Sequence, residues 1–430
     1  MSDENDARRD ETIFTWGSPP LKFGAGAIDE IGFELTQYAV RTALIITDVH
    51  VRELGVPDRV AQSLAGYDIR SQIFDGARVE PTDVSMALAV NYARSEGPWD
   101  ALIAVGGGSA IDTAKAVNLL LHEDGELMDF INRPIGGGRA PRGPLAPLIA
   151  VPTTAGTGSE STAMCVLDVL SMKVKTGISH WRLRPTLAVI DPEVSLSLPA
   201  AVTAASGMDI VCHALESYTA RWYTRFARRK PEDRVTYCGS NPVSDVWCER
   251  ALGLIARSFR RAVQRGDDLT ARTDMMQAAT FAGMGFGNAG VHVPHANAYP
   301  IAGMVEDYIP SGYQTNEPMV PHGQAVSLTA PASFRFTYPG SPDRHIRAAR
   351  LLAPELAEQK DAREQLPTAL VELMRDIDIP NGIGAVGYAD ADVDGLVDGA
   401  FKQQRLLATA PREVAAGDLA GIFRESMRNW

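Results

Sequence analysis

The sequence has few cysteines, and none of them stand in a Cys-x-x-Cys pair. Its 430 residues include only Cys165, Cys212, Cys238 and Cys248. Four unpaired positions in so long a chain exclude a disulfide-stapled scaffold and favour reduced thiols. The first 14 residues, MSDENDARRDETIF, lack the apolar core of a signal peptide and are too acidic for a mitochondrial transit peptide. We therefore expect a cytoplasmic protein whose residues 1–12 form a solvated arm.

The sequence also lacks a basic block and a long apolar run. It contains 41 Lys and Arg against 53 Asp and Glu, so its formal net charge is −12 at pH 7. Nucleic acids and anionic membranes favour proteins with clustered cations, so we expect neither as a partner. We expect a small molecule instead. The longest stretch without an ionised Asp, Glu, Lys or Arg covers residues 275–305, but its glycines, prolines, histidines and asparagines argue against a membrane span. It predicts a buried segment that carries a site.

The composition, 45% hydrophobic and 22% charged, is typical of a globular protein of two or three domains. Before residue 198, short β-branched runs alternate with amphipathic stretches, which predicts a doubly wound α/β domain with a mostly parallel sheet. The predicted strands cover residues 42–48, 101–109, 147–154 and 186–192. After residue 198 the apolar spacing is near 3.6, which predicts an all-α domain with helices at 201–221, 243–264, 269–284, 324–337, 343–357 and 362–376. We therefore expect an α/β domain over residues 13–198 and a helical domain over residues 199–430.

A glycine turn follows the predicted strand at 101–109. Gly106, Gly107, Gly108 and Ser109 lead directly into a helix, and the exposed N–H groups of such a helix start bind phosphate. The alternative is a turn needed only for tight packing. Two further G-x-G-x-x-G matches, at 285–290 and 382–387, follow no apolar strand, and we reject them as phosphate sites.

Two other features suit a dinucleotide. Thr153, Thr154 and Thr157 lie just beyond the strand at 147–154, where hydroxyl groups suit a pyrophosphate or a nicotinamide carboxamide. Asp48 ends another strand and is suited to accept hydrogen bonds from a ribose diol, which favours NAD over NADP. Polar loops and turn residues of this kind are also ordinary.

The helical half contains a potential metal site. Asp209 and His213 are four residues apart on a predicted helix and therefore share one face. His295 and His322 follow in separate segments. One carboxylate and three imidazoles are ligands that suit Fe(II) and Zn(II) alike, and the alternative is a set of buried core histidines.

The motifs GGGSAIDTAKAV, VPTTAGTGSE, GMDIVCHALESYT, GVHVPHANAYP and VPHGQAV, in this order, resemble the iron-containing (group III) alcohol dehydrogenase family. Within it, the chain is most similar to the branch of hydroxyacid-oxoacid transhydrogenases. The resemblance implies a Rossmann-like NAD-binding domain and a helical metal-binding domain, as in dehydroquinate synthase-like folds. It implies metal ligation by Asp209, His213, His295 and His322, with Fe(II) preferred to Zn(II). It also implies cofactor contacts at Asp48, Gly107, Gly108, Ser109, Asp112, Thr153, Thr154, Thr157 and Lys175.

Many family members have a second histidine four residues after the third ligand, and this chain has Tyr299 there, a candidate for proton relay. The resemblance implies a homodimer and hydride transfer from 4-hydroxybutyrate, or a similar hydroxyacid, through bound NAD to 2-oxoglutarate. The distal carboxylates of these substrates require a cation, for which Arg182, Arg234 and the cluster 228–230 are candidates. The alternatives are an ordinary NAD-dependent alcohol dehydrogenase, a dehydroquinate-synthase-like lyase, and a binding protein with an inactive site.

Overall fold

The computed structural model describes residues 10–172, 174–313, 315–358 and 361–430. The chain forms two compact units. One is continuous and comprises residues 18–197, and the other comprises residues 198–430 together with the segment that precedes residue 18. Most of the expected N-terminal arm, residues 1–9, lies outside the described residues.

The continuous unit contains a parallel sheet with the strand order β1-β8-β5-β4-β2-β3 and a separate antiparallel hairpin, β6-β7. Its strands are β1 (Leu21–Phe23), β2 (Thr42–Ile46), β3 (Arg70–Phe74), β4 (Ala101–Gly106), β5 (Leu148–Pro152), β6 (Met164–Val169), β7 (Val174–Ser179) and β8 (Leu187–Ile190). Its α-helices are α1 (Ile31–Thr36), α2 (Val49–Glu53), α3 (Val56–Ala65), α4 (Asp83–Glu96), α5 (Gly108–His122) and α6 (Leu127–Phe130).

The central strands are buried on both faces. In β4, Leu102 and Ala104 belong to one apolar core, while Ile103 and Val105 belong to a second core on the opposite face. Alternation of side chains along a strand explains this division, and cover on both faces explains why the strand is apolar throughout. The expected doubly wound α/β unit is confirmed.

The second unit is helical in its described part. Its α-helices are α7 (Ala200–Thr219), α8 (Pro242–Gln264), α9 (Leu269–Ala289), α10 (Val293–Gly303), α11 (His322–Leu328), α12 (Ala330–Thr337), α13 (Pro342–Leu352), α14 (Ala362–Asp376), α15 (Val393–Phe401), α16 (Gln404–Leu407) and α17 (Ala416–Glu425). This arrangement confirms the expected all-α half. Within the described residues, no helix is both long enough and apolar enough to cross a membrane.

Two predicted helices end or break at prolines. The helix expected over 324–337 is interrupted at Thr329, because Pro331 stands in the first turn of α12 and cannot donate a backbone N–H. The helix expected over 343–357 leaves the α conformation after Leu352, just before Pro354.

Close helix packing explains one of the rejected glycine motifs. A Cβ atom on Gly285, in α9, would lie 2.4 Å from Sγ of Cys248 in α8. Glycine therefore lets these two helices approach each other, as expected for a motif that does not bind phosphate.

Residues 13–17 differ from the expected boundary, because they pack with the helical unit. Nε1 of Trp16 donates to the carbonyl oxygen of Met284 at 3.2 Å, and the Gly17 amide donates to Oδ1 of Asn288 at 2.9 Å. Just before them, the buried carboxylate of Glu11 accepts a hydrogen bond from Nη1 of Arg234 at 3.0 Å. These bonds correct the expected start of the α/β domain at residue 13. They also correct the expected solvation at Glu11, while Asp10 and Thr12 are exposed as expected.

Candidate functional site

One face of α7 carries three acidic or imidazole side chains. Asp209, His213 and Glu216 stand at positions i, i+4 and i+7, so the helix places them in one row. All three are buried. Nε2 of His213 lies 3.6 Å from Oδ1 of Asp209.

Two further helices bring histidines to the same carboxylate. Nε2 of His295, in the first turn of α10, lies 3.5 Å from Oδ1 of Asp209, and Nε2 of His322, the first residue of α11, lies 3.8 Å from it. One ligand atom from each of these three residues lies within 4.8 Å of the other two. The helical unit therefore brings together all four of the expected ligand residues, with His213 stacked on His295 at a centroid distance of 4.6 Å.

The unpartnered atoms of this cluster fit a divalent cation. Oδ1 of Asp209 and Nε2 of His295 are both buried without a hydrogen-bond partner among the described residues. Leaving such atoms unsatisfied is costly, and a metal ion at their common focus would satisfy them. Three imidazole nitrogens and one carboxylate oxygen form a donor set that suits Fe(II) or Zn(II).

The electrostatics of the cluster favour deprotonated ligands at two positions. Burial opposes the charged form of Asp209, but the surrounding imidazoles, His213 first among them, bring the pKa of its carboxyl below the ordinary range. Burial lowers the pKa of His213 to about 3. A metal ion requires an ionised carboxylate and neutral imidazoles, which is the state that these shifts favour.

Glu216 is a site residue that the sequence analysis missed. Its Oε1 lies 2.6 Å from Nδ1 of His295, and its Oε2 accepts the backbone N–H of His292 at 2.6 Å. Burial opposes protonation of His295, but Glu216 and Asp209 together outweigh it, and the pKa of His295 rises to about 9. Because an ionised carboxylate can only accept, Nδ1 of His295 carries a proton in either charge state, and Nε2 is the nitrogen whose proton a metal ion would displace. The position of Glu216 three residues after His213 is a signal that could have identified it.

His292 and Tyr299 flank the ligand on α10. His292 is fully buried, and its Nε2 lies 3.1 Å from Oγ1 of Thr219, so it is a core histidine with partners inside the fold. Tyr299 is half-buried one helical turn after His295. It lies within electrostatic range of Tyr237, whose pKa burial raises to about 12 against the opposing effect of Arg405.

The expected cofactor residues of the α/β unit gather at the carboxyl edge of its sheet. Gly106 pairs with Pro152, so the turn that follows β4 and the loop that follows β5 are neighbours. A Cβ atom on Gly107 would lie 3.4 Å from Oγ1 of Thr154, and one on Gly108 would lie 2.5 Å from Oγ1 of Thr157. Ser109 follows in the first turn of α5, and the buried Thr153 donates its N–H to Gly106.

Asp48 joins this edge from β2, which is the neighbour of β4. Its Oδ1 caps α2 by accepting the N–H groups of His50 and Val51, each at 3.0 Å. Its Oδ2 would lie 3.5 Å from a Cβ atom on Gly106. One carboxylate oxygen of Asp48 therefore has a structural function, and the other lies beside the glycine turn.

Asp112 and Lys175 are engaged by other protein groups. Asp112 accepts from Oγ of Ser159 at 2.5 Å and from the amide of Val166 at 2.9 Å, so its buried carboxylate braces α5 against the chain that follows β5. Lys175 donates to Oε2 of Glu80 at 2.6 Å and to Oδ2 of Asp168 at 2.9 Å. Both side chains, which were expected to contact the cofactor, are thus hydrogen-bonded to other protein groups.

The candidate cations for a substrate carboxylate have different surroundings. Arg234 pairs with Glu11, and Nη1 of Arg228 donates to Oγ1 of Thr12 at 2.8 Å. Arg182 belongs to the α/β unit and lies just before β8, at the amino edge of the sheet.

Comparison with known proteins places both units in one family. The family model described as iron-containing alcohol dehydrogenase matches residues 19–192, and the model for the C-terminal part of the Fe-containing alcohol dehydrogenase family matches residues 234–427. The chain is 43% identical to the mitochondrial hydroxyacid-oxoacid transhydrogenase of Xenopus laevis over 427 residues, which cover 98% of this chain and 92% of that protein. It is 43% identical to the Bos taurus protein of the same name over 413 residues, covering 95% and 88% of the two chains.

A solved structure of 1,3-propanediol oxidoreductase aligns with a TM-score of 0.84 at 31% identity and covers 96% of this chain and all of that one. The names of both transhydrogenases specify mitochondria, so the comparisons do not support the expected cytoplasmic location.

Proposed function

The chain belongs to the iron-containing alcohol dehydrogenase family and is an oxidoreductase, and from this premise we propose that it is a hydroxyacid-oxoacid transhydrogenase. In this reaction a hydroxyacid such as 4-hydroxybutyrate loses a hydride and a proton, and 2-oxoglutarate gains both to become 2-hydroxyglutarate. NAD, when bound, would supply the carrier for the hydride between the two substrates. The convergence of Asp209 and three histidines carries the metal-dependent part of this proposal, and 43% identity to transhydrogenases supports the choice of substrates.

We assign the metal site to Asp209, His213, His295 and His322, with Fe(II) as the preferred ion. When bound, a divalent ion would supply Lewis-acid polarisation of the substrate oxygen. The protein positions the ligands, since Glu216 orients His295. The side chain of His322 is 27% exposed whereas those of Asp209 and His295 are at most 5% exposed, so the substrate would reach the cluster from the His322 side.

The NAD site is assigned to the carboxyl edge of the sheet. The N–H groups of Gly107, Gly108 and Ser109 would bind the pyrophosphate, because they stand at the start of α5 and the two glycines have no Cβ atom to obstruct its approach. Thr153, Thr154 and Thr157 add hydroxyl groups to this edge. Asp48 would accept hydrogen bonds from the ribose diol and repel a 2′-phosphate, which favours NAD.

Tyr299 is the proposed residue that transfers the alcohol proton. It lies one helical turn after His295, and its neighbour Tyr237 is held protonated by burial. Replacing Tyr299 with Phe removes the hydroxyl and keeps the ring. We expect kcat to fall by about tenfold or more while the metal content stays at the wild-type level.

Arg405 is the proposed partner of the substrate's distal carboxylate. Arg405 lies on helix α16, and its guanidinium is 5.0 Å from the ring centroid of Tyr237. Helix α16 packs against α10, which contains His295 and Tyr299. Arg405→Gln should raise KM for 4-hydroxybutyrate by about tenfold and leave KM for butan-1-ol unchanged. Arg375→Gln, an exposed arginine on α14, is the matched control, and equal effects on both donors would remove Arg405 from this function.

A steady-state assay separates a transhydrogenase from an ordinary dehydrogenase. Protein that carries its own NAD should oxidise 4-hydroxybutyrate continuously only when 2-oxoglutarate is present, with no cofactor added. The rate pattern should be ping-pong, because the first product leaves before the second substrate arrives. Oxidation that depends on added NAD and is indifferent to 2-oxoglutarate would identify an ordinary dehydrogenase.

The family resemblance also leads us to propose a homodimer. Light scattering during gel filtration should then give about twice the 46.3-kDa mass of one chain.

A further inference from the structure

The α/β unit contains a cavity of about 230 Å³ that is remote from the nucleotide edge. It opens at the amino ends of β5 and β8, where Leu148 begins one strand and Thr186 precedes the other. The cofactor candidates lie at the carboxyl ends of β2, β4 and β5. Because a strand rises about 3.3 Å per residue, the five residues of β5 separate the two edges by roughly 16 Å. The cavity is therefore distinct from the proposed NAD site.

Two arginines line this cavity, and their side chains are incompletely paired. Nε of Arg182 and Nε of Arg184 are both buried without a hydrogen-bond partner among the described residues. No described carboxylate lies within ion-pair distance of either guanidinium, and the lining contains no acidic residue. Glu123, which lies outside the lining, is already engaged by the backbone N–H groups of Arg142 and Gly143.

A partly buried guanidinium without an acidic partner favours the binding of an anion. Arginine remains protonated in proteins, so burial of Arg184 cannot be relieved by loss of its proton. Burial lowers the pKa of Arg184, and no carboxylate offsets that effect. A bound oxyanion would accept from both guanidinium groups and remove the desolvation cost.

The remaining lining is suited to a small polar ligand. The Thr186 hydroxyl accepts the N–H of Leu148 at 3.1 Å, which leaves its own proton to donate. The guanidinium of Arg182 lies 4.6 Å from the ring centroid of Trp181, which is 61% exposed at the mouth. The volume is below the usual range for drug-sized ligands, which limits the occupant to a small molecule.

We propose that this cavity is a second ligand site, which binds a small multivalent oxyanion through Arg182 and Arg184. Phosphate and small di- or tricarboxylates share the required chemistry. The site does not depend on the proposed catalytic function, because its lining residues belong to the α/β unit, and Arg182, Arg184 and Thr186 lie at the sheet edge opposite the glycine turn and Asp48.

Trp181 provides a direct readout of binding. The full-length protein would be titrated in Hepes and chloride with inorganic phosphate in one arm and citrate in the other, at constant ionic strength. We expect a saturable change in tryptophan fluorescence in at least one arm. The anion that binds more tightly shows whether the site prefers phosphate or a carboxylate. The change should disappear in Trp181→Phe, since the other tryptophans do not line the cavity.

Arginine variants test the assignment of the site. Combined Arg182→Gln and Arg184→Gln should weaken anion binding by about tenfold or more, while the affinity for NAD stays unchanged. Arg250→Gln, an exposed arginine on α8, should bind the anion as the wild type does. Circular dichroism checks folding, and the single variant Arg182→Gln replaces the double variant if the latter does not fold.

The proposal would be overturned by the lack of a saturable response to both anions in the wild-type protein. It would equally be overturned if the arginine variants retained full affinity, or if Arg250→Gln lost as much affinity as they did.

Discussion

Glu216 and His295 form a hydrogen bond between two buried side chains, with 2.6 Å between Oε1 and Nδ1. Because the carboxylate fixes both the tautomer and the ring orientation, Nε2 of His295 faces Oδ1 of Asp209. The geometry of the proposed metal site thus depends on a residue that is not one of the proposed ligands.

We expect Glu216→Gln to weaken metal binding by about 10- to 100-fold, because an amide can present its N–H₂ group to Nδ1 and no longer selects one tautomer. Chelator competition measures the dissociation constant independently of turnover. Glu249→Gln is the matched control, since Glu249 accepts a hydrogen bond from Tyr218 at the end of the same helix. Wild-type metal affinity in Glu216→Gln would contradict this positioning function.

His295→Ala and His322→Ala should each remove stoichiometric metal and turnover while the affinity for NAD stays close to that of the wild type. The ligands belong to the helical unit, whereas the dinucleotide candidates belong to the α/β unit. Elemental analysis and NAD titration measure the two properties separately. His345→Ala is the contrasting variant, because this buried histidine bonds to Thr337 and should lose stability but keep its metal. Full metal content in both ligand variants would refute the ligand set.

Asp48→Asn should relax the preference for NAD over NADP by about tenfold. Asparagine can still cap α2 with its side-chain oxygen, so the variant removes the charge and retains the local fold. Binding titrations with both dinucleotides measure the ratio of affinities. If the wild-type protein binds NADP more tightly than NAD, the assigned function of Asp48 is wrong.

Acid should destabilise the protein partly through His345. Burial lowers its pKa to about 4 from the ordinary 6.5. Between pH 6.5 and pH 4, His345 is therefore protonated in the unfolded chain but neutral in the folded chain. The free energy of unfolding therefore falls as the pH drops through this window, by up to about 3 kcal/mol for this group.

Urea unfolding at pH 7 and pH 5 measures this loss. His345→Gln should show a smaller difference between the two pH values than the wild type, and His50→Gln, at an exposed position, should show the wild-type difference. An unchanged difference in His345→Gln would assign the acid sensitivity to other groups.

The sequence predicted the elements whose apolar pattern is strong. Strands β2, β4, β5 and β8 are central or nearly so, and burial on both faces makes them continuous apolar runs. It did not predict β3, an edge strand with the mixed sequence RSQIF, or the hairpin β6-β7, which lies outside the main sheet. Partial exposure weakens the pattern in these strands, and only pairing with neighbours reveals them.

The same contrast holds for the site. The spacing of Asp209 and His213 predicts that they share a helix face, and their residue types predict that they could bind a metal ion. Glu216 and the packing of Trp16 depend on contacts between segments 79 and 268 residues apart along the chain. The spacing of Glu216 from His213 indicates that they share a helix face, but no local pattern could identify its contact with His295 or that of Trp16 with Met284.

The packing of residues 10–17 also affects the order in which the two units can fold during synthesis. The α/β unit is one continuous stretch, so it can be completed and folded as soon as it has been made. The helical unit includes a segment that is synthesised before the α/β unit, and Trp16 meets its partner Met284 only after 268 further residues. At 5–20 residues per second, that interval is roughly 13 to 54 seconds. Residues 10–17 therefore remain without these partners until the helical unit has been made, and a fragment comprising only residues 198–430 would lack the segment that bonds to Met284 and Asn288.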